Sequence, residues 1–178
     1  RRVPQQPGVD VRLVRALFAW ASRVGVARAR LEIAGEEAPL ALRAQSALAD
    51  RLVFSKIRAA FGGRVRFFIV GAAPIAVDVL EFLWGAGLPI YEVYGMTENT
   101  GMSHANAPGA VRLGTVGRCF GDDGSSGAAG VSGGFEHKLA DDGEVLVRSP
   151  TVFLGYLNDA AATAEAVGPD GWLRTGDV

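Results

Sequence analysis

The sequence predicts an α/β fold, in which part of a parallel sheet with its helices precedes a small β-rich, barrel-like subdomain. Apolar residues with helical spacing open the chain, and a strand–turn–helix–strand pattern follows within about thirty residues. Short β-like segments then replace helices after about residue 110. We therefore expect two regions, residues 1–110 and residues 111–178.

Two helices are predicted before the first strand. Over residues 11–34, apolar side chains from Val14 to Val24 recur at helical spacing, with arginines between them. A basic amphipathic helix could bind a membrane surface or a partner, but a domain helix with a solvated arginine face is the simpler interpretation. A second helix is predicted over residues 46–61, with Gly62 and Gly63 as its stop.

The next segment has the pattern of a βαβ unit. Residues 64–70 pass from alternating to fully apolar, as a buried strand would, and residues 71–74 form a tight turn. A helix over residues 75–84 and a strand over residues 89–93 follow. Two strands joined by a helix are expected to be parallel, with a right-handed crossover.

The last third of the sequence predicts short strands over residues 135–140, 144–149 and 171–175. Asp141-Asp142-Gly143 is a hairpin turn signal between the first two. Residues 121–134 are rich in glycine and serine, which is the composition of a flexible insertion.

Composition excludes several classes of function. A hydrophobic content of 49% is ample for a core, and a net charge of −1 gives no electrostatic case for nucleic-acid binding. The single cysteine, Cys119, fits a reducing cytoplasm. The sequence leaves open whether the protein also associates peripherally with a membrane. Because the chain begins at Arg1 without an initiator methionine, we expect it to be an internal piece of a longer protein.

Two loops leave the carboxyl ends of the predicted parallel strands, where ligands collect in such sheets. In the loop at residues 71–74, small residues would let a flat ligand approach the backbone. In the next loop Tyr94 offers a flat face for a nucleobase, Thr97 a hydroxyl for phosphate, and Glu98 a hard oxygen for Mg²⁺. A rim tyrosine, a capping threonine and a solvated glutamate are the structural alternatives.

Asp177 follows Thr175 and Gly176, so a turn is expected to present its carboxylate. It could accept hydrogen bonds from the vicinal hydroxyls of a ribose, or it could be a plain turn residue. His104, His137 and Cys119 show no zinc-like spacing in the sequence.

Four strings together give the strongest functional signal: Gly-Ala-Ala-Pro at residues 71–74, Tyr-Gly-Met-Thr-Glu at 94–98, Gly-Thr-Val-Gly-Arg at 114–118, and Gly-Trp-Leu-Arg-Thr-Gly-Asp at 171–177. With them the chain resembles the adenylate-forming superfamily, which includes acyl-CoA synthetases, luciferases and peptide-synthetase adenylation domains. Those enzymes activate a carboxylate with ATP, and most then transfer the acyl group to a thiol. The resemblance covers nearly the whole chain except residues 119–135.

The resemblance also implies roles for individual residues. The residue matching Tyr94 stacks on adenine, that matching Asp177 holds the ribose, Thr97 contacts phosphates, and Glu98 binds Mg²⁺. Thr97 and Glu98 are thus the implied catalytic pair, with Glu98 as the metal ligand. The implied nucleotide-binding residues are Gly71, Ala72, Ala73, Pro74, Glu92, Val93, Tyr94, Gly95, Met96, Thr97 and Asp177. ATP and Mg²⁺ are the implied cofactors, CoA the co-substrate, and a fatty acid or other carboxylate the substrate.

Longer strings around residues 53–58 and 93–101 look like long-chain fatty acyl-CoA synthetases. The alternatives are a peptide-synthetase-like adenylation domain and a non-catalytic nucleotide-binding remnant. The family's phosphate loop and C-terminal lysine are not in this sequence, so we expect the isolated chain to be inactive. Cys119 stands where the family usually has proline, and the connection to Lys138 is about ten residues longer than in the family.

Overall fold

The computed structural model of the protein describes residues 10–120 and 134–178, and it divides into two compact units. The first unit holds the described residues up to Phe68 together with Ala76–Ile90. The second holds Ile69–Ile75 and Tyr91–Val178. Since these units interleave along the chain, the expected division near residue 110 stays a prediction. The insertion expected at 121–134 falls on residues outside the described part, except for Gly134.

The first unit is helical. Helix α1 spans Val11–Ala34, as predicted, from an Asp10 cap that accepts from the Arg12 N–H at 2.9 Å to Gly35 with a φ of 72°. A continuous helical stretch follows as α2 (Leu40–Ala49), a π-helical turn (Asp50–Phe54) and α3 (Ser55–Ala60). It begins before the predicted Ser46, because Pro39 and a run of good helix formers start the helix at Leu40. Helix α4 spans Val77–Gly85.

The core of the first unit is apolar and tightly packed. It is formed by the buried residues Ala21, Val24, Ala49, Phe54 and Ala86. Helices α1 and α4 meet at two glycines, since a Cβ on Gly85 would lie only 2.8 Å from the Cα of Gly25. Arg30 and Glu81 join the same two helices by paired hydrogen bonds of 2.7 and 2.8 Å.

The larger sheet has the order β1–β2–β3–β4, with β1 at Phe68–Val70, β2 at Ile90–Tyr94, β3 at His104–Ala105 and β4 at Arg118–Cys119. Strands β1 and β2 are neighbours joined through α4, as a βαβ unit requires. Strands β2, β3 and β4 pair antiparallel, with Tyr94 opposite His104 and His104 opposite Cys119. The sheet therefore combines a βαβ unit with antiparallel strands. The α/β class is confirmed.

The expectation of a buried first strand is wrong for the described chain. Strand β1 has three residues rather than seven, it lies at the edge of the sheet, and Ile69 is 57% exposed. An apolar run signals a capacity for burial, but the cover must come from neighbouring elements, and an edge strand lacks one neighbour.

A second sheet contains β5 (Glu136–Leu139), β6 (Val145–Arg148) and β7 (Leu173–Arg174), in that order and antiparallel. The predicted hairpin turn is confirmed, since Gly143 has a φ of 91° and donates to the Ala140 carbonyl at 3.0 Å. Helix α5 (Ala160–Ala166) precedes β7. Among the described residues this sheet stays open, and no closed barrel forms. No helix in the described ranges is long and apolar enough to cross a membrane.

Candidate functional site

The second unit contains a cleft of about 330 Å³ at the end of β2. It brings together both loops that the sequence singled out, together with the distant Asp177. The predicted residues that line it are Gly71, Ala72, Ala73, Pro74, Glu92, Val93, Tyr94, Gly95 and Asp177. Four further lining residues are Val70, Gly114, Thr115 and Val116.

The turn at residues 71–74 forms one wall of the cleft. Its small side chains let its backbone lie close to β2. A Cβ on Gly71 would lie 3.0 Å from both the carbonyl oxygen and Cγ2 of Val93, so only glycine lets the turn approach β2 this closely. Ala72 adopts a φ of 68°, which is unusual for a residue with a side chain and marks a sharply bent backbone. The wall is therefore mostly exposed backbone.

Tyr94 and Asp177 also line the cleft and contact each other. The Tyr94 hydroxyl donates a hydrogen bond of 2.6 Å to Asp177 Oδ2, although the two residues are 83 positions apart in the sequence. Partial burial, followed by the hydrogen bond to Asp177, raises the pKa of Tyr94 to about 12. The phenol therefore stays protonated across the physiological range and remains a donor.

The segment that carries Asp177 is anchored to β6. The Asp177 carbonyl accepts from the Val145 N–H at 2.9 Å, and the Thr175 hydroxyl donates to the Val145 carbonyl at 2.7 Å. The Gly176 N–H donates to Glu144 Oε1 at 2.8 Å. Asp177 is thus both a turn residue and a carboxylate held at the cleft, so the two interpretations of the sequence do not exclude each other.

The third wall consists of Gly114, Thr115 and Val116, which were not predicted as site residues, whereas Glu92 beside them was. Glu92 is only 8% exposed, and its Oε2 accepts from the Gly114 N–H at 2.8 Å. Asn106, 3% exposed, donates to the Thr115 carbonyl at 2.5 Å and accepts from the Arg112 N–H at 2.8 Å. These two buried side chains hold the loop that carries Gly114, Thr115 and Val116. The Gly114 string was a sequence signal for this wall, but nothing in the sequence marked Asn106.

Met96, Thr97 and Glu98 continue the Tyr94 loop but are not among the residues that line the cleft. Residues Thr97–Asn99 form a short 3₁₀ turn, in which the Met96 N–H donates to Asn99 Oδ1 at 3.0 Å. Thr97 is exposed, and Glu98 is half-buried. Glu98 Oε1 accepts from the Tyr156 hydroxyl at 2.7 Å, and the Glu98 carbonyl accepts from the Phe153 N–H at 2.7 Å.

A larger depression of about 630 Å³ lies in the first unit, among α1, α2 and the segment between them. Charged side chains of both signs line it, including Arg28 and Glu32, whose charged atoms are 3.7 Å apart on one helix face. Such (i, i+4) pairs are typical of solvated helix surfaces. The smaller cleft of the second unit therefore remains the candidate site.

The sequence shows no zinc-like spacing, yet the structure brings three potential metal ligands together. The ligand atoms of His104, Cys119 and His137 all lie within 4.8 Å of one another. Residues that pair across strands can meet at any separation along the chain, so a search for fixed local spacings does not find them.

Known proteins match this chain over most of its length. The family described as AMP-binding enzyme matches residues 18–157. The long-chain-fatty-acid–CoA ligase FadD15 of Mycobacterium bovis is 42% identical over 139 residues, which are 78% of this chain and 21% of that protein. Human long-chain-fatty-acid–CoA ligase 1 is 42% identical over 134 residues, or 75% of this chain and 19% of that protein. The chain thus spans about a fifth of the length of these relatives.

Solved structures give a consistent result. The apo form of MatB from Rhodopseudomonas palustris matches with a TM-score of 0.54 and 26% identity over 73% of this chain and 26% of that one. The anthranilate CoA ligase AuaEII, in complex with anthranoyl-AMP, matches with a TM-score of 0.51 and 26% identity over 62% of this chain and 21% of that one. The chain belongs to the family of AMP-binding enzymes.

Proposed function

We propose that the protein containing this chain is an ATP-dependent fatty acyl-CoA synthetase, which forms acyl-AMP and then acyl-CoA. The observation that carries the proposal is the cleft in which Tyr94, Asp177 and the turn at residues 71–74 meet. The names of the relatives, which are long-chain-fatty-acid–CoA ligases, favour a fatty acid over an amino acid as the carboxylate.

The cleft has the chemistry of a nucleoside site. A flat base would lie between the exposed backbone of residues 71–74 and the face of Tyr94, since an aromatic face is a good stacking surface. Asp177 would accept hydrogen bonds from ribose hydroxyls, because a carboxylate can accept about four and the Tyr94 hydroxyl supplies one. The buried Glu92 would act through Gly114, by holding the third wall in place.

Thr97 and Glu98 would face the phosphates, further along the same loop. Glu98 fits a Mg²⁺ ligand, since it offers hard carboxylate oxygens at a half-buried position, and the Tyr156 hydroxyl donates to one of them, Oε1. Mg²⁺ would supply charge neutralisation as the fatty acid carboxylate attacks the α-phosphate. Tyr156 would orient the Glu98 carboxylate, and the Thr97 hydroxyl would donate to a phosphate oxygen.

The proposal is tested by assaying the full-length protein for carboxylate-dependent ATP–pyrophosphate exchange, with a series of fatty acids and a set of amino acids as the carboxylate. We expect exchange with fatty acids and formation of the CoA thioester when CoA is added. Exchange with amino acids alone would instead support a peptide-synthetase-like adenylation domain. No exchange with any carboxylate, despite ATP binding, would support a non-catalytic nucleotide-binding protein.

The cleft itself is tested by Asp177→Asn. The amide oxygen can still accept from Tyr94, but a charge-assisted hydrogen bond to ribose becomes a neutral one, so we expect the KM for ATP to rise about tenfold. Asp141→Asn, at the exposed hairpin turn of the same unit, is the matched control and should leave KM unchanged. An unchanged KM in Asp177→Asn would remove Asp177 from the proposed site.

A further inference from the structure

Three strands of the second unit bring two imidazoles and one thiol together. His104 on β3 and Cys119 on β4 are directly opposite each other across the strand pair, and His137 comes from β5 of the other sheet. Their ligand atoms all lie within 4.8 Å of one another. His104 and Cys119 are buried, at 9% and 4% exposure, whereas His137 is exposed.

The surroundings of the cluster hold these side chains in defined positions. The hydroxyl of the fully buried Ser103 lies 3.0 Å from His104 Nδ1, which favours metal binding through Nε2. The His104 and His137 rings meet edge to face, with centroids 5.2 Å apart. Phe120 and Phe135 pack with Cys119 in one apolar cluster, which lowers solvent access to the sulfur.

We propose that His104, Cys119 and His137 form a binding site for a borderline-soft divalent cation, with Zn²⁺ as the best match. Nitrogen and sulfur donors select such ions, whereas Mg²⁺ and Ca²⁺ require oxygen ligands. Ligand atoms around a tetrahedral zinc lie roughly 3.3–3.6 Å apart, given Zn–S of about 2.3 Å and Zn–N of about 2.0–2.1 Å. The three ligand atoms would therefore draw together by about an ångström when the ion binds.

Binding has a defined stoichiometry and a structural consequence. The Cys119 thiol loses its proton to solvent as the sulfur–metal bond forms, while the two imidazoles bind in their neutral form, so one proton is released per ion. The three protein ligands leave a fourth position for water. The bound ion would link the two sheets through His137. It would also hold β3, where His104 pairs with Tyr94 and lies 5.6 Å from its ring.

This site stands independently of the proposed synthetase function, because none of the three ligands lines the cleft. The proposed site also gives a role to Cys119, which stands where the family usually has proline.

The test is Co²⁺ titration of the purified full chain under reducing conditions, followed by absorption spectroscopy, with Zn²⁺ added as competitor. Wild type should show a thiolate-to-cobalt charge-transfer band at one ion per chain, and Zn²⁺ should abolish it. His137→Gln is the informative variant, since this exposed side chain can be changed without disturbing a core. It should weaken Co²⁺ binding by more than about 100-fold, beyond the 10–100-fold that loss of an outer-shell partner costs.

The matched control is Lys138→Gln, the next residue on the same strand, whose side chain points to the opposite face. It should bind Co²⁺ as wild type does. Zn²⁺ should raise the Tm of wild type and of Lys138→Gln but not that of His137→Gln. Absence of the charge-transfer band in wild type at saturating Co²⁺, or equal affinity in His137→Gln and Lys138→Gln, would overturn the proposal.

Discussion

In the first unit the buried core is apolar, and its two main helices approach each other through glycine contacts, whereas the described part of the second unit buries five polar side chains. Those five are Glu92, Asn99, Ser103, His104 and Asn106. Two of them, Glu92 and Asn106, hold a wall of the cleft by hydrogen bonds to backbone groups. In the described first unit, Ser46 is the one buried polar residue of this kind.

The difference teaches that the two units respond to different perturbations. Packing is non-directional and depends on volume, so the first unit should tolerate polar changes at its surface and resist added atoms in its core. Hydrogen bonds are directional and fix loop positions, so the second unit should lose function or geometry when single polar atoms change.

The largest effect is expected for Glu98→Gln in the full-length protein. The change removes a negative charge from the proposed metal ligand but keeps an oxygen that can accept from Tyr156, so the shape of the loop is kept. Carboxylate-dependent ATP–pyrophosphate exchange should fall about 10²–10³-fold. Thermal melting should be unchanged. Glu165→Gln, which removes the same charge from the exposed face of α5, is the control. Near-normal exchange in a folded Glu98→Gln protein would remove Glu98 from the mechanism.

Gly85→Ala tests how tightly α1 and α4 pack in the first unit. The added methyl would lie 2.7 Å from the Gly25 carbonyl oxygen and 2.8 Å from its Cα, and backbone atoms cannot rotate away as a side chain can. The free energy of unfolding of the first unit should fall by about 3 kcal/mol, at the upper end for overpacking. Denaturant unfolding measures it. Gly35→Asn is the control, because Gly35 faces open space and asparagine accepts its φ of 72°. A loss equal to that of the control would mean that α1 and α4 separate easily.

Asn106→Ala tests whether hydrogen bonds hold the third wall. The variant leaves the Thr115 carbonyl and the Arg112 N–H without their partner, which should cost about 2 kcal/mol of unfolding free energy. Hydrogen exchange at the Gly114 amide should also become faster. In the exposed Asn158→Gly control, whose φ of 58° suits glycine, stability should stay within about 0.5 kcal/mol. Unchanged exchange at Gly114 would show that Glu92 alone fixes the wall.

The smallest effect concerns the pH dependence of stability through Tyr94. Burial and Asp177 raise its pKa to about 12, from an ordinary value of 10.0 that the unfolded chain retains. Between these values the folded state keeps a proton that the unfolded state has lost. Stability from this group is therefore fully present below pH 10 and is lost as pH rises through 12. Because Tyr94 is only half-buried, we expect a loss of about 1 kcal/mol.

Tyr94→Phe should make the decline in unfolding free energy between pH 10 and pH 12 shallower by that amount. Denaturant titrations of both proteins at several pH values in this window measure the difference. Parallel curves for the two proteins would show that Tyr94 keeps an ordinary pKa in the folded state.

Local patterns predicted much of this fold. The bounds of α1 match the prediction because a long periodic segment ends at a glycine that can adopt a left-handed conformation. The hairpin at Gly143 was predictable because its turn also needs a residue with positive φ, which glycine adopts readily. The burial of β1 was not predictable, since the cover over a strand depends on elements remote in the sequence.

Part of the cleft was also predictable from the sequence, and part was not. Loops 71–74 and 94–98 were predictable from their composition and from their positions after predicted strands. In the structure most of their residues line one cleft. The Glu92–Gly114 contact and the His104–Cys119 pairing depend on strand register, which a single sequence does not reveal.

The π-helical turn at Asp50–Phe54 shows how one extra residue can be stored in a helix. Its Ser55 N–H donates to the Asp50 carbonyl, five residues back, and the two buried side chains Ala49 and Phe54 have the same separation. In a regular α-helix residues five apart face directions about 140° apart, because each residue turns the helix by about 100°. The π turn is thus a phase correction, and it allows α2 and α3 to present their apolar residues to one core. A one-residue deletion inside it would restore a regular helix and keep the later positions of α3 facing that core, because residues four apart in an α-helix differ in direction by only about 40°.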